Sequence, residues 1–335
     1  MATSLCSALA LAALLQAPPP PPPPQPAPGS ATQAAATPVG DSLLALRTLL
    51  ARDSADGRAW LLLGRLYLQL AENAHGPPHR ALEDSAAVRA LLDTSDAALA
   101  RAGQLLAPSG STPDGDSARV LRVGAWSARA RLAWDEKGIN VGPQEWGPVP
   151  LDLRVPPVLE ELGENLLRAC PMWGVLFTAS EADSHAAWYM RFSRGLRPDV
   201  LIVPLAAWRA DSLLRARVAA DLKLARRRDP DAAIGELVKR RPVCVSMAFE
   251  RPPEPRPRIG WATRPLVWVA GPHLKEDRVP PRDFVFAALR LALDNHDAWA
   301  PPALALYARA ARATPPLCEA LRTFRLTNEI PSCRR

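Results

Sequence analysis

The stretch GVLFTASEADSHAAWYMRFSRGLRPDVLIV, Gly174–Val203, decides the fold of this chain. It opens on an apolar run, GVLFTA, and breaks at the polar Ser180–Ser184. A segment with helical spacing then leads to Gly195, and a second apolar run, DVLIVP, closes it. Two short apolar runs around a helix read as a βαβ unit, whose strands are parallel because a helical crossover returns the chain to the same end of the sheet. Strands that are apolar throughout, rather than alternating, are buried on both faces. Two later runs, PVCVSMA and PLVWVAG, extend the sheet, and helical segments lie between, over about 206–226 and 230–240. The last two strands are joined by the Pro-rich FERPPEPRPRIGWATR, which holds no helix, so that pair admits an antiparallel arrangement. The expected unit, residues 155–275, is a three-layer α/β domain with a mostly parallel sheet. The strand near Leu176 should lie between those near Ile202 and Val245. Helices of residues 280–335 follow it.

Toward the N-terminus, Gly- and Pro-rich sequence around 138–155 marks a boundary, and residues 39–138 read as helices. DSLLALRTLLARD and DGRAWLLLGRLYLQLAEN each begin at an Asp suited to N-capping, Asp41 and Asp56, and carry leucines near helical spacing. Trp60, Leu63, Gly64 and Tyr67 spell W-x2-L-G-x2-Y, which resembles the first helix of a tetratricopeptide repeat. Ala98, Ala102 and Pro108 resemble the second helix, although Trp60 to Pro108 is longer than one such repeat. The resemblance implies that Gly64 lets a partner helix approach. The bland reading of the same residues is an ordinary helical core. The fold class is thus α/β, with an all-α repeat-like domain ahead of it.

Leu5–Leu15 is an apolar run too short to span a bilayer, which needs about 20 residues, and small residues and a proline tract follow it. Residues 1–17 read as a signal peptide and 18–38 as a stiff Pro-rich linker. No other stretch is long and apolar enough to cross a membrane. The expected location is therefore exported, periplasmic or extracellular, with attachment to the envelope as a further expectation. The formal charge of +7 comes almost wholly from Arg, since Lys stands only at Lys137, Lys223, Lys239 and Lys275. The basic clusters Arg226–Arg228 and Lys239–Arg241 each end a predicted helix, where cations meet the helix dipole favourably. No nucleic-acid partner is expected.

Cysteine usage fits an oxidising compartment. Beyond Cys6, inside the signal-like run, the chain carries Cys170, Cys244, Cys318 and Cys333. If the first and third strands are parallel neighbours, Cys170 and Cys244 meet at one edge of the sheet, which leaves Cys318 to pair with Cys333. The alternative is buried free thiols.

Parallel sheets bind ligands beyond the carboxyl ends of their strands, which places Glu181, Asp183, Ser184 and His185 as candidate ligand-binding residues. Asp183 or Ser184 can instead simply cap the helix. In the functional reading, Glu181 and Asp183 offer oxygens to a cation or to sugar hydroxyls, and His185 serves as acid or base. The chain contains no G-x-G-x-x-G, P-loop, H-E-x-x-H or G-x-S-x-G motif, so catalytic residues, cofactors and metal stay unassigned.

The same run resembles the soluble, C-terminal region of bacterial protein O-mannosyltransferase-like membrane proteins, a domain of unknown function. There a strand leads into Gly-Asp-Asn-Asp-Thr, a helix bearing Trp-Tyr and a Gly-x-Arg-Pro-Asp-Val segment. Ser180, Glu181, Ala182, Asp183, Ser184, Trp188, Tyr189, Gly195, Arg197, Pro198, Asp199 and Val200 stand at those positions here. The resemblance covers about Val155 to Pro272 and implies an α/β domain. Ser180 and Ala182 depart from it, and the membrane half that would carry glycosyl transfer has no counterpart in this sequence. The expected function is a non-enzymatic module that binds an envelope protein or glycan. The alternative is an enzyme or accessory domain acting on saccharide or envelope substrates through Glu181 and Asp183.

Overall fold

The computed structural model describes residues 38–75, 85–138, 141, 145, 149–225, 229–254, 258–272, 274 and 280–334. The signal-like segment and the Pro-rich run that precedes Pro38 lie outside the described residues.

Four helices come first: α1 (Pro38–Arg52), α2 (Gly57–His75), α3 (Ser85–Leu106) and α4 (Pro113–Lys137). Asp56 caps α2 by accepting from Ala59 N at 2.9 Å. Asp41, by contrast, lies within the first turn of α1 rather than ahead of it. Gly64 is where α2 meets α3 most closely, for a Cβ there would stand 2.5 Å from Leu99 Cγ. Ser95 Oγ, buried in the same seam, donates to Gly64 O at 2.8 Å. The helix α4 is buried on nearly every side. Ala125 and Leu132 pack with Leu68 and Leu92 of α2 and α3, while Val120, Val123, Trp126, Ala130 and Ala133 join a core that continues into the rest of the chain.

After α5 (Pro157–Ala169) come β1 (Val175–Thr178), α6 (Glu181–Phe192), β2 (Leu201–Pro204), α7 (Leu205–Ala210), α8 (Ser212–Asp221), α9 (Pro230–Arg240) and β3 (Val243–Ser246). The chain continues through β4 (Ala262–Arg264), β5 (Val267–Ala270), α10 (Ala287–Asp294), α11 (Ala300–Ala313) and α12 (Leu317–Thr323). The sheet order is β2-β1-β3-β5-β4. As expected, β1 lies between β2 and β3 and is parallel to both. The sheet is nonetheless mixed rather than mostly parallel, because β5 runs antiparallel to β3 and to β4. The cause is local: no helix returns the chain after β3, and β4 turns straight into β5 through Pro265 and Leu266, the latter at φ 69°. The helix expected over about 206–226 is two helices, since Asp211 leaves helical geometry and caps α8 by accepting from Leu213 N and Leu214 N.

Alternate strand residues face opposite ways, as the two-residue period requires. Val175, Phe177, Val203 and Val245 pack against Trp208, Leu214 and Ile234 from α7, α8 and α9. Leu176, Ile202, Cys244 and Val269 pack with side chains of α5, α6 and α11. The close contact of α5 and α6 depends on Gly163, where a Cβ would lie 2.3 Å from Ala186 O.

Both expected disulfides are present. Cys170–Cys244, with Cα atoms 5.8 Å apart, ties the loop before β1 to β3, and Cys318–Cys333, at 5.3 Å, ties α12 to the C-terminal turn. Gly174 is required beside the first bridge, since a Cβ there would meet Cys170 Sγ at 2.6 Å. The helix α10 lacks a side-chain cap of its own. Glu161 of α5 supplies one by accepting from Ala288 N and Leu289 N at 2.7 and 3.0 Å.

Two tests follow from these contacts. Loop-closure entropy for bridges spanning 74 and 15 residues is on the order of 4 and 3 kcal/mol. Peptide mapping of oxidised protein should recover Cys170–Cys244 and Cys318–Cys333, and reduction should lower the melting temperature by several degrees. Burial raises Glu161 to about 7 against its three backbone hydrogen bonds. The folded state therefore holds a proton that the unfolded chain releases near 4.5, so stability should fall as pH rises from about 4.5 to about 7, by up to about 3 kcal/mol. Urea denaturation across that window should show the decline in the native protein and a flatter profile in Glu161→Gln.

Candidate functional site

The loop after β1 leads to α6 on one face of the sheet, and the loop after β2 leads to α7 on the other. Because neighbouring parallel strands send their chains apart, a crevice opens beyond their carboxyl ends. Ala179 and Ser180 line it from the β1 side and Ile202 and Pro204 from β2. The helices α2, α3 and α4 close it into a cavity of about 260 Å³.

The four residues singled out from the sequence separate here into two pairs. Ser180, not Asp183 or Ser184, is the N-cap of α6, and Asp183 completes a capping box three residues on. Asp183 is fully buried. Its Oδ1 accepts from Ser180 N at 2.7 Å and Ser180 Oγ at 2.8 Å, and its Oδ2 from Ala179 N at 2.9 Å. Ser184 Oγ donates to Thr178 Oγ1 at 2.7 Å. Those two residues hold the strand-to-helix turn. Glu181 and His185, one turn apart, reach the cavity on either side of Ser184, with Glu181 exposed and His185 half-buried.

Opposite them stand side chains that the sequence offered no reason to select: Glu72 and His75 from α2, and Ser127, Arg131 and Trp134 from α4. Glu72 and Arg131 sit at least 50 residues from Glu181, on helices whose polar positions read as ordinary solvated faces. His75 Nε2 lies 2.6 Å from Asp135 Oδ2 in a buried pair at the margin.

Burial pushes the Glu72 carboxyl above its usual range; Arg131 pulls it back down, and the nearby negative charge of Glu181 pushes it up further. Burial likewise drives the His185 imidazole below its ordinary value, against the opposing pull of Glu181 and Asp183, so the ring is neutral at neutral pH. Its Nδ1 is buried with no hydrogen-bond partner. Its Nε2 packs closely beside α4 at Gly124, where a Cβ would stand 3.2 Å away and oblige the ring to shift. Arg131 Nε is also buried and unpartnered. Among the described residues no group of three His, Cys, Asp or Glu side chains is placed to hold a metal ion. Glu181 and Asp183 do not converge on one.

Fold and site together describe a disulfide-bonded mixed α/β protein with a polar crevice at the ends of two parallel strands, walled by an N-terminal helical segment. No family model, no curated protein and no solved structure matches the chain.

The capping box makes a direct prediction. Asp183→Ala strands three donors at the turn and should lose about 2–3 kcal/mol in chemical denaturation. Glu181→Gln, on the exposed rim, should stay within about 0.5 kcal/mol of the native protein in the same measurement.

Proposed function

We propose that this is an exported, envelope-associated binding module whose recognition site is the crevice between α2, α4 and α6. The observation that carries the reading is the convergence, on one cavity, of Glu72, Arg131, Glu181 and His185 from three helices. Glu72 and Glu181 stand exposed at its rim and Arg131 is half-buried, so charged groups of both signs edge the cavity without closing into ion pairs and stay available to a ligand. Export is supported by the two disulfides and the signal-like Leu5–Leu15. Among the described residues no helix is long and apolar enough to cross a membrane. The likeness of Gly174–Val203 to the soluble region of envelope membrane proteins supports a place at the cell envelope. A binding role is preferred because Ser184, the hydroxyl beside His185 in sequence, is committed to Thr178 rather than to the imidazole.

One observation favours a second reading, an enzyme acting on saccharides. Glu72, its carboxyl raised beside Glu181, carries the tuning expected of a general acid.

Saturation-transfer NMR with monosaccharides, short peptides and amino acids separates these readings. A binding module should give signals from one ligand class that disappear in Arg131→Gln and Glu181→Gln, while circular dichroism and melting temperature match the native protein. Ligand signals that survive both substitutions would remove the crevice from consideration. Turnover of a chromogenic glycoside, lost in Glu181→Gln, would establish the enzyme instead.

A further inference from the structure

Among the described residues the charged side chains around the cavity are Glu72, Glu181 and Arg131, and no ion pair within 4 Å joins any of them to another described residue. Elsewhere in the protein arginines commonly find carboxylates, as Arg122 does with Asp96 and Asp152, so the crevice is an exception. Its volume, about 260 Å³, lies just below the roughly 300–1,000 Å³ of drug-sized pockets. A ligand enclosed there is small. The rest of the lining is largely apolar, with Ala71, Val88, Leu92, Trp134, Trp188 and Ile202.

Resting on the crevice being the binding site, we infer that it recognises an α-amino-acid group: a primary ammonium seated between Glu72 and Glu181, a carboxylate on Arg131, and an aliphatic side chain against the apolar wall. The negative charge of Glu181 disfavours ionisation of Glu72, and carboxylate oxygens only accept hydrogen bonds. Neutral sugar hydroxyls would leave that repulsion in place, whereas an ammonium cancels it. The guanidinium fork, with no carboxylate of its own, matches a ligand carboxylate through two parallel hydrogen bonds. His185, uncharged, adds a neutral hydrogen-bonding edge without competing for the ammonium.

A proton consequence accompanies this geometry. The groups facing Glu72 are Arg131 from α4, Glu181 and His185 from α6, and His75 on its own helix. An ammonium bound beside Glu72 favours the ionised carboxylate. Binding therefore favours release of the proton from the raised carboxyl, and affinity climbs as pH rises through its titration.

Isothermal titration of the full chain tests this with four probes: leucine in both enantiomers, leucinamide, which lacks the carboxylate, 4-methylpentanoate, which lacks the ammonium, and N-acetylglucosamine. Leucine should bind, with each truncated probe at least tenfold weaker. Glu181→Gln and Arg131→Gln should each weaken leucine at least tenfold, Arg131→Lys should restore part of the loss, and melting curves should verify that each variant folds. Titrations at pH 5.5 in buffers of different ionisation enthalpy should show proton release that disappears in Glu72→Gln. Equal binding of 4-methylpentanoate and leucine, or of the native and Glu181→Gln proteins, would overturn the inference. N-acetylglucosamine binding that is lost in Arg131→Gln would overturn it while leaving the crevice as the binding site, and silence from all four probes would overturn it outright.

Discussion

The burial of α4 on both of its sides is the constraint on which the rest depends. One flank of the helix packs with α2 and α3, and the other contributes Val120, Val123, Trp126 and Ala130 to the core that includes β1, α5 and α6. A helix that presents buried apolar side chains on two flanks is held between two packing partners rather than left at a surface. It draws the N-terminal helices against the carboxyl ends of β1 and β2, so a crevice that α/β topology opens by itself receives a second wall. Gly124 sets how near that wall comes, since His185 occupies the space a side chain at 124 would fill.

The same proximity makes the electrostatics. Glu72 and Glu181 would each be unremarkable on a solvated helix. Brought to one cavity, Glu72 is raised first by partial loss of water and then by the negative charge of Glu181, against the pull of Arg131. His185 responds oppositely, because for an imidazole the charged form is the protonated one, and burial removes it. Asp183 shows how the fold treats a carboxylate it keeps for itself: three hydrogen bonds from one turn leave its oxygens fully engaged. Glu181, two residues earlier, accepts none of that turn's N–H groups and lies open at the rim.

Behind α6, whose helix it packs against at Gly163, α5 fastens the C-terminal helices to the core through polar contacts. Glu161 caps α10, and Asn165 Nδ2 donates to Val285 O at 2.7 Å and to Tyr307 Oη at 3.2 Å. Burial shifts Tyr307 strongly upward, so its hydroxyl stays protonated and available to the network. The Cys170–Cys244 bridge closes the amino-terminal edge of the sheet, away from the crevice.

What the sequence by itself determined is local, or follows from short periods and a crossover. The parallel β1–β2 pair, the β2-β1-β3 order, both disulfide pairings and the polar strand-to-helix turn at Ser180–Ser184 were legible because apolar runs, helical spacing and the rigid span of a disulfide leave few alternatives. The β4–β5 hairpin was not, since Ala262–Arg264 is three residues long with two of them exposed, and so carries no apolar signal. Nor was the division of labour within the turn, where Asp183 faces inward and Glu181 outward, because both are acidic residues at the start of one helix. The remaining half of the crevice was decided only by tertiary structure. Glu72 and Arg131 lie on the polar faces of α2 and α4, and nothing in their own neighbourhood distinguishes them from solvated charges. Only the docking of α4 against α6, driven by apolar side chains elsewhere along the same helices, sets them around one cavity opposite Glu181 and His185.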